Sequence, residues 1–243
     1  LAVFEHLKGN GDIAFLQETH STSEVEKAWQ SELGCNAFFS HGASNSRGVM
    51  IFISNKLEID ITDKKIDPLG RYMFLVCTLQ GAKFLLYNVY APNKDEKVHG
   101  EFLTDLKESF ESIDPNGYEY IIGAGDWNFT SEAIDRSGGN YTKWKESITK
   151  LEKINEQHDL IDIWRVRNPE LKRFTWRRKK PTIIQSRIDR IYMSDTMQYN
   201  VSKVDIVPGL RSDHSAITLA IKPTNSAKSG ANIWRFNNSL LKN

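Results

Sequence analysis

Oxygen and imidazole donors placed where apolar runs end can gather around a phosphate or a metal, and this chain offers five such places. Phe15-Leu16-Gln17-Glu18-Thr19 sets a carboxylate just past a strand-like run. Tyr87-Asn88-Val89-Tyr90-Ala91-Pro92-Asn93 ends another run on a phenol and a Pro stop. Ile121-Ile122-Gly123-Ala124-Gly125-Asp126-Trp127-Asn128-Phe129 leads from an apolar strand into Asp126 and Asn128, two apart. That spacing turns both side chains to one pocket if the backbone stays extended; an Asx turn is the equally good local alternative. Ser186-Arg187-Ile188-Asp189-Arg190-Ile191-Tyr192 carries a carboxylate inside a strand, and alternation is read as setting Asp189 opposite the flanking Ile residues. Arg211-Ser212-Asp213-His214-Ser215 puts an Asp-His pair ahead of the final strand.

Taken singly, each has a plainer reading. Glu18 is a solvated loop acid, Tyr90 an edge aromatic, and Asp189 a surface acid paired with Arg187 or Arg190, worth ~0–1 kcal/mol if exposed. Taken together they supply three or four carboxylates, an amide, a phenol and a histidine. Cys35 and Cys77 form no CxxC pair and no disulfide framework, so zinc is disfavoured. Oxygen ligands suit magnesium, which keeps waters and also binds substrate phosphate. No Walker-type glycine loop is present.

Loops after buried strands are where α/β folds collect such groups. Strands are expected at Ile13 to Leu16, Val49 to Ile53, Tyr72 to Leu79, Phe84 to Tyr90, Tyr120 to Ala124, Arg187 to Tyr192, Val201 to Val207 and Ala216 to Ile221. Several are continuously apolar, which suggests cover on both faces. Ser23 to Leu33 reads as a helix opened by a capping box of Ser23 and Glu26. Phe102, Leu103, Leu106 and Phe110 share one helical face, and Trp144, Ile148, Leu151 and Ile154 another. Gly138-Gly139 and Asp67-Pro68-Leu69-Gly70 mark turns. Interleaved strands and helices define one domain over residues 1–222. Pro223 to Gly230 has linker composition, and Ile233 to Leu241 reads as the amphipathic start of something further.

Of 243 residues, 40% are apolar and 26% charged, a globular balance, and the net charge is only +1. The distribution is uneven: Trp164 to Arg190 holds ten Lys/Arg against two acids. Such a block is the expected footprint of a surface that faces phosphate. No apolar run reaches the ~20 residues a membrane helix needs, so no membrane partner is expected. Leu1 to Lys8 lacks a basic lead and a long apolar run, so it is read as no signal peptide but as a helix ending at Gly9-Asn10. Two distant thiols without a disulfide framework, Cys77 within an apolar run, and no leader point to cytoplasm or nucleus.

The five pieces, in this order, resemble the exonuclease-endonuclease-phosphatase superfamily, from Leu1 to about Lys222. Within it, the chain is most similar to the endonucleases of LINE-type retrotransposons. Gln17-Glu18-Thr19-His20, Tyr90-Ala91-Pro92-Asn93, Ile134-Asp135-Arg136-Ser137, Asp159-Leu160-Ile161-Asp162 and Phe174-Thr175-Trp176 carry that likeness. So does Trp234 to Leu241, which resembles the bridge toward a reverse transcriptase. The resemblance implies a four-layer α/β sandwich, two packed mixed sheets flanked by helices as in DNase I. It also implies that a first strand carrying an active-site Asn precedes Leu1. It implies Mg2+, with Mn2+ as a substitute, held by Glu18 and Asp213. Asp126 would activate water with Asn128, and His214, supported by Asp189, would meet the phosphate along with Tyr90, with Asp213 also among the catalytic residues. Double-stranded DNA would lie on Arg136, Thr175, Arg177, Arg178 and Lys179, and element RNA would be reached through the reverse transcriptase portion. The expected reaction is nicking that leaves a 3′-hydroxyl to prime reverse transcription. The alternatives are an apurinic repair endonuclease and a truncated fragment that only binds DNA.

Overall fold

The structure, a computed structural model, describes residues 11–43, 46–138, 144–178, 180, 183–209 and 212–222. The expected first helix, Gly139, Lys179, Arg211 and the whole segment after Lys222 lie outside the described residues. None of the described helices is long and apolar enough to cross a membrane.

The chain runs β1 (Ile13–Gln17), α1 (Ser23–Leu33), β2 (Asn36–Ser40), β3 (Val49–Ile53), β4 (Ile59–Ile66), β5 (Tyr72–Leu79), β6 (Ala82–Tyr90) and α2 (Glu96–Glu111). It continues with β7 (Tyr120–Asp126), β8 (Arg136–Ser137), α3 (Lys145–Gln157), β9 (Leu160–Asp162) and α4 (Ile163–Arg167). It ends with β10 (Trp176–Arg178), β11 (Ile184–Ser186), β12 (Asp189–Ser194), β13 (Val201–Val207) and β14 (Ala216–Ile221). Six strands form the central sheet in the order β4-β5-β6-β7-β12-β9, with β6 and β7 parallel and the other pairs antiparallel. Apolar, β-branched and aromatic runs explain β5, β6 and β7. The turn Gln80-Gly81, with φ of 51° and 85°, supplies the two left-handed residues that a tight β5–β6 hairpin needs.

Four layers result. Helices α2 and α3 cover one face of the central sheet through Phe102, Leu106, Phe110, Leu151 and Ile154. The other face packs on two smaller sheets, β1-β3-β2 and β13-β14, through Val49, Ile51, Ile53 and Val201 among others. Trp29 of α1 closes the far side of β1-β3-β2 over Phe39, Met50 and Phe52. Asn88, fully buried, crosses between sheets. Its Nδ2 donates to Leu16 O and Met50 O, both 2.9 Å, and its Oδ1 accepts from Gln17 Nε2 at 2.6 Å. Strand β1 is thereby fixed to β6, two residues short of Tyr90.

Some expectations change. The N-cap of α1 is Thr22 and no side chain caps it; Glu26 instead meets Gln30 and His41, so there is no Ser23–Glu26 box. Residue 187 precedes β12, because its guanidinium turns into a buried ionic hub. Arg187 Nε and Nη2 reach the two oxygens of Asp135 at 2.7 Å each, and Nη1 meets Asp162 at 2.7 Å. Arg165 shares Asp135, and both guanidiniums lie over Trp164, at 5.1 and 5.2 Å. Burial works against the Asp135 charge, yet Arg187 and Arg165 hold its carboxyl below the usual range.

Stripping one partner from a buried ionic hub leaves charges without compensation, at about 3–5 kcal/mol. Asp135→Ala is therefore expected to lower unfolding stability by about that amount in urea. A loss under 1 kcal/mol would show that the hub does not hold the strand before Asp189.

Candidate active site

Three site residues stand in one row because pairing register puts them there. Tyr90 of β6 pairs with Asp126 of β7, and Asp126 pairs with Asp189 of β12. Residues opposite one another across a sheet point to one side. Here that side faces the small sheets, since Leu86, Ala124 and Ile191 share it. Asp189 therefore lies on the same face as Ile191, two residues on, which corrects the expectation that it opposes both flanking Ile residues.

The other groups arrive from the second layer. Glu18 follows β1 with φ 52° and accepts a hydrogen bond from the Tyr90 hydroxyl. His214 precedes β14, and its Nδ1 lies 2.9 Å from Asp189 Oδ2. Its place is set by a bridge to Trp176 and by Ser215 N donating to Thr175 O at 2.6 Å. Ligand atoms of Asp126, Asp189 and His214 all lie within 4.8 Å of one another. Asp213 is exposed and accepts from the Trp176 indole at 3.2 Å; it and Glu18 both lie outside that three-residue group.

The loop after β7 does not stay extended. Asn128 has φ 55°, and its N–H donates to Asp126 Oδ1 at 2.9 Å, which is an Asx turn. Its side chain donates to Ala91 O at 2.7 Å rather than pointing beside Asp126. Two buried groups clamp this loop from behind: His99, which the sequence reading did not assign, and Arg190, which it paired with Asp189. His99 Nε2 lies 2.9 Å from Trp127 O, and Arg190 Nη2 donates to Phe129 O at 2.5 Å. Burial depresses the His99 pKa to about 4, so it is a neutral donor at Nε2.

Thr175 is also reassigned. It is 1% exposed, and its hydroxyl accepts from the Ile188 and Asp189 N–H groups, at 3.1 Å each. It positions Asp189 and offers nothing to a ligand outside. The basic block divides likewise. Arg165, Arg187 and Arg190 are buried, Arg167 donates to Gln198 O and Val201 O, and Arg173 donates to Ile206 O. Lys172, Arg177, Arg178 and Lys180 remain exposed. Arg136 is half-buried, with its guanidinium on Gly138 O and Ser186 Oγ. So half of the local positive charge holds the fold together.

Electrostatics single out Asp126. Burial, then the neighbouring Asp189 charge, pushes its pKa well up. For His214, burial opposes the charge, but Asp189's hydrogen bond and charge, then Asp126 and Asp213, raise the pKa to about 9. Tyr90 is held neutral by burial and by Glu18. One imidazolium thus faces several carboxylates, with Asp126 buried among them. Oxygen donors short of positive charge fit a divalent ion.

Residues 2–214 match the Endonuclease/Exonuclease/phosphatase family. The chain belongs to that family. It is also 34% identical, over 97% of its length, to the "Transposon TX1 uncharacterized 149 kDa protein" of Xenopus laevis, of which it spans 18%. Among solved structures it resembles an AP endonuclease from Archaeoglobus fulgidus, at TM-score 0.73 and 20% identity, over 90% of this chain and 92% of that one. A second likeness is to the 3′ phosphatase NExo from Neisseria bound to product DNA hairpin, at TM-score 0.71 and 21% identity, over 90% and 93%. At such identities these two bear on the fold alone. The fold class expected from sequence is the one observed, and the family's hydrolytic phosphodiester chemistry agrees with the character of the site.

The raised His214 pKa has a measurable consequence. Without divalent ions, the ring is expected to titrate by NMR near pH 9, and Asp189→Asn should return it toward the ordinary value of about 6.5. The folded pKa exceeds the unfolded one. Stability from the pair is therefore full below about pH 6.5 and is lost as pH rises through about 9. A wild-type midpoint near 6.5 would contradict the pairing.

Proposed function

We propose that this chain is the endonuclease portion of a LINE-type retrotransposon protein and that it nicks double-stranded DNA with Mg2+, or Mn2+ in its place. The observation that carries this reading is the convergence of Asp126, Asp189 and His214 beside the Glu18–Tyr90 pair. The likeness of nearly the whole chain to a transposon protein supports the retrotransposon setting.

Glu18 is the carboxylate to hold the ion, with Asp126 as the second oxygen donor; Asp213, engaged by Trp176, is the weaker candidate. When bound, the ion offsets charge on the phosphate and leaving oxygens. The Asx turn holds one Asp126 oxygen, and the carboxylate so oriented is placed to take a proton from the attacking water. Water oxygen bonds to phosphorus as Asp126 takes its proton, the bond from phosphorus to the 3′ oxygen breaks, and that oxygen takes a proton from solvent, so that the products are a 3′-hydroxyl and a 5′-phosphate. His214, kept protonated by Asp189, donates to a non-bridging phosphate oxygen. A fixed donor aimed at developing charge is usually the largest catalytic contribution. The exposed Arg177 and Arg178 on the β10–β11 hairpin track the DNA backbone, which positions the duplex without reading sequence. The 3′-hydroxyl then serves as the primer for reverse transcription of the element, a setting that the likeness to a transposon protein supports.

A second reading, an apurinic repair endonuclease, is favoured by the shared fold with the Archaeoglobus enzyme. It differs in demanding an abasic site.

Wild-type protein is expected to convert supercoiled plasmid to open circles only with Mg2+ or Mn2+. Glu18→Ala, Asp126→Ala and His214→Ala should each lower the rate by ~100-fold or more. Undiminished nicking by all three would refute the assignment. Cleavage of an abasic duplex, with intact plasmid untouched, would select the repair reading.

A further inference from the structure

Six described residues other than glycine have positive φ, and four of them border the site: Glu18, His20, Arg47 and Asn128. Asn128 is the Asx turn. The other three belong to one strapped unit on the Glu18 side of the cleft. Thr19 N donates to Gly48 O at 3.1 Å and His20 N to Arg47 O at 2.9 Å, while Gly48 N donates to Gly70 O at 3.1 Å. Gly48 sits so close to the loop that a Cβ there would lie 2.6 Å from Thr19 Oγ1. A side-chain relay ties the same loop down: Thr19 Oγ1 to Ser21 Oγ at 3.0 Å, Ser21 Oγ to His41 Nδ1 at 3.0 Å, and His41 Nε2 to Glu26 Oε2 at 3.2 Å.

Left-handed backbone is unfavourable at residues with a side chain and persists where surroundings enforce it, often at functional sites. Here it places Glu18 against Tyr90. It also fixes Arg47, at φ 63°, on an exposed rim where its guanidinium has no partner among the described residues. Arg47 lies near enough to Tyr90 for its charge to act on that hydroxyl. The hairpin carrying Arg177 and Arg178 adjoins His214 through Trp176, on the Asp189 side. An unpaired guanidinium on a rigid mount beside an acidic cleft suits a phosphate, which takes planar, bidentate donors.

We infer that Arg47 binds a backbone phosphate of the DNA on the Glu18 rim, so that the duplex is held from both sides of the cleft. This rests on the nuclease reading and adds a contact to it.

The test is the salt dependence of duplex binding, followed by anisotropy with and without Mg2+. Loss of one phosphate contact is expected to reduce the slope of log K against log salt by about 0.9 in Arg47→Gln and leave it intact in Arg47→Lys. In nicking assays Arg47→Gln should raise KM roughly tenfold with kcat little changed. Arg47→Gly relieves the left-handed strain, so it should be at least as stable as wild type and still lose the slope. The Arg177→Ala, Arg178→Ala double variant is the positive control. An unchanged slope in Arg47→Gln and Arg47→Gly, with the control reduced, would overturn the inference and leave the nuclease reading standing. Wild-type protein that neither binds nor nicks DNA would overturn both.

Discussion

Two carboxylates from neighbouring strands, Asp126 and Asp189, are held opposite one another by the β7–β12 register, and Asp126 is nearly inaccessible to water. Like charges so placed cannot both ionise freely. The tension is eased on one side by His214, which Asp189 keeps protonated. On the other it raises the Asp126 pKa and leaves an appetite for a cation. The base, the donor and the metal requirement of the proposed reaction all follow from that pair.

The surrounding fold serves to keep the pair in place. Thr175 spends its hydroxyl on the two N–H groups around Asp189. The Asp135 hub anchors Arg187, two residues earlier. His99 and Arg190 hold the carbonyls of the loop that follows Asp126. Asn88 locks β1 to β6, so Glu18 reaches Tyr90 from a different sheet. Several of these are polar groups buried at a cost that only satisfied hydrogen bonds offset. Their cohesion explains why residues more than a hundred positions apart share one cleft.

Much of this was legible in the residues. Continuous apolar runs identified β3, β5, β6 and β7; Tyr90 and Asp126 end β6 and β7, while Glu18, Asp189 and His214 stood out at the polar ends of the runs that form β1, β12 and β14. What escaped has physical reasons. Strand β4 is an exposed edge rich in Asp and Lys, β8, β9, β10 and β11 are too short for periodicity to register, and β2, as long as β3, lacks its continuous apolar run because Asn36 and Ser40 end it. Asn128 left the extended path because an Asx bond competed with it locally, which spacing cannot decide. Thr175 looked like a surface contact because nothing local shows that its hydroxyl faces inward. The basic block overstated the phosphate surface, since burial of Arg165, Arg187 and Arg190 depends on distant Asp135, Asp162 and Phe129. A count of charges carries no information about which are already spent.

The central claim is that Glu18 and Asp126 hold a divalent ion in the cleft that Asp189 and His214 border. Anomalous diffraction from crystals soaked in Mn2+ tests it most directly. The account predicts a peak between the Glu18 and Asp126 carboxylates that disappears in Asp126→Ala. Density for Mn2+ only elsewhere on the surface, or a peak indifferent to that substitution, would contradict it.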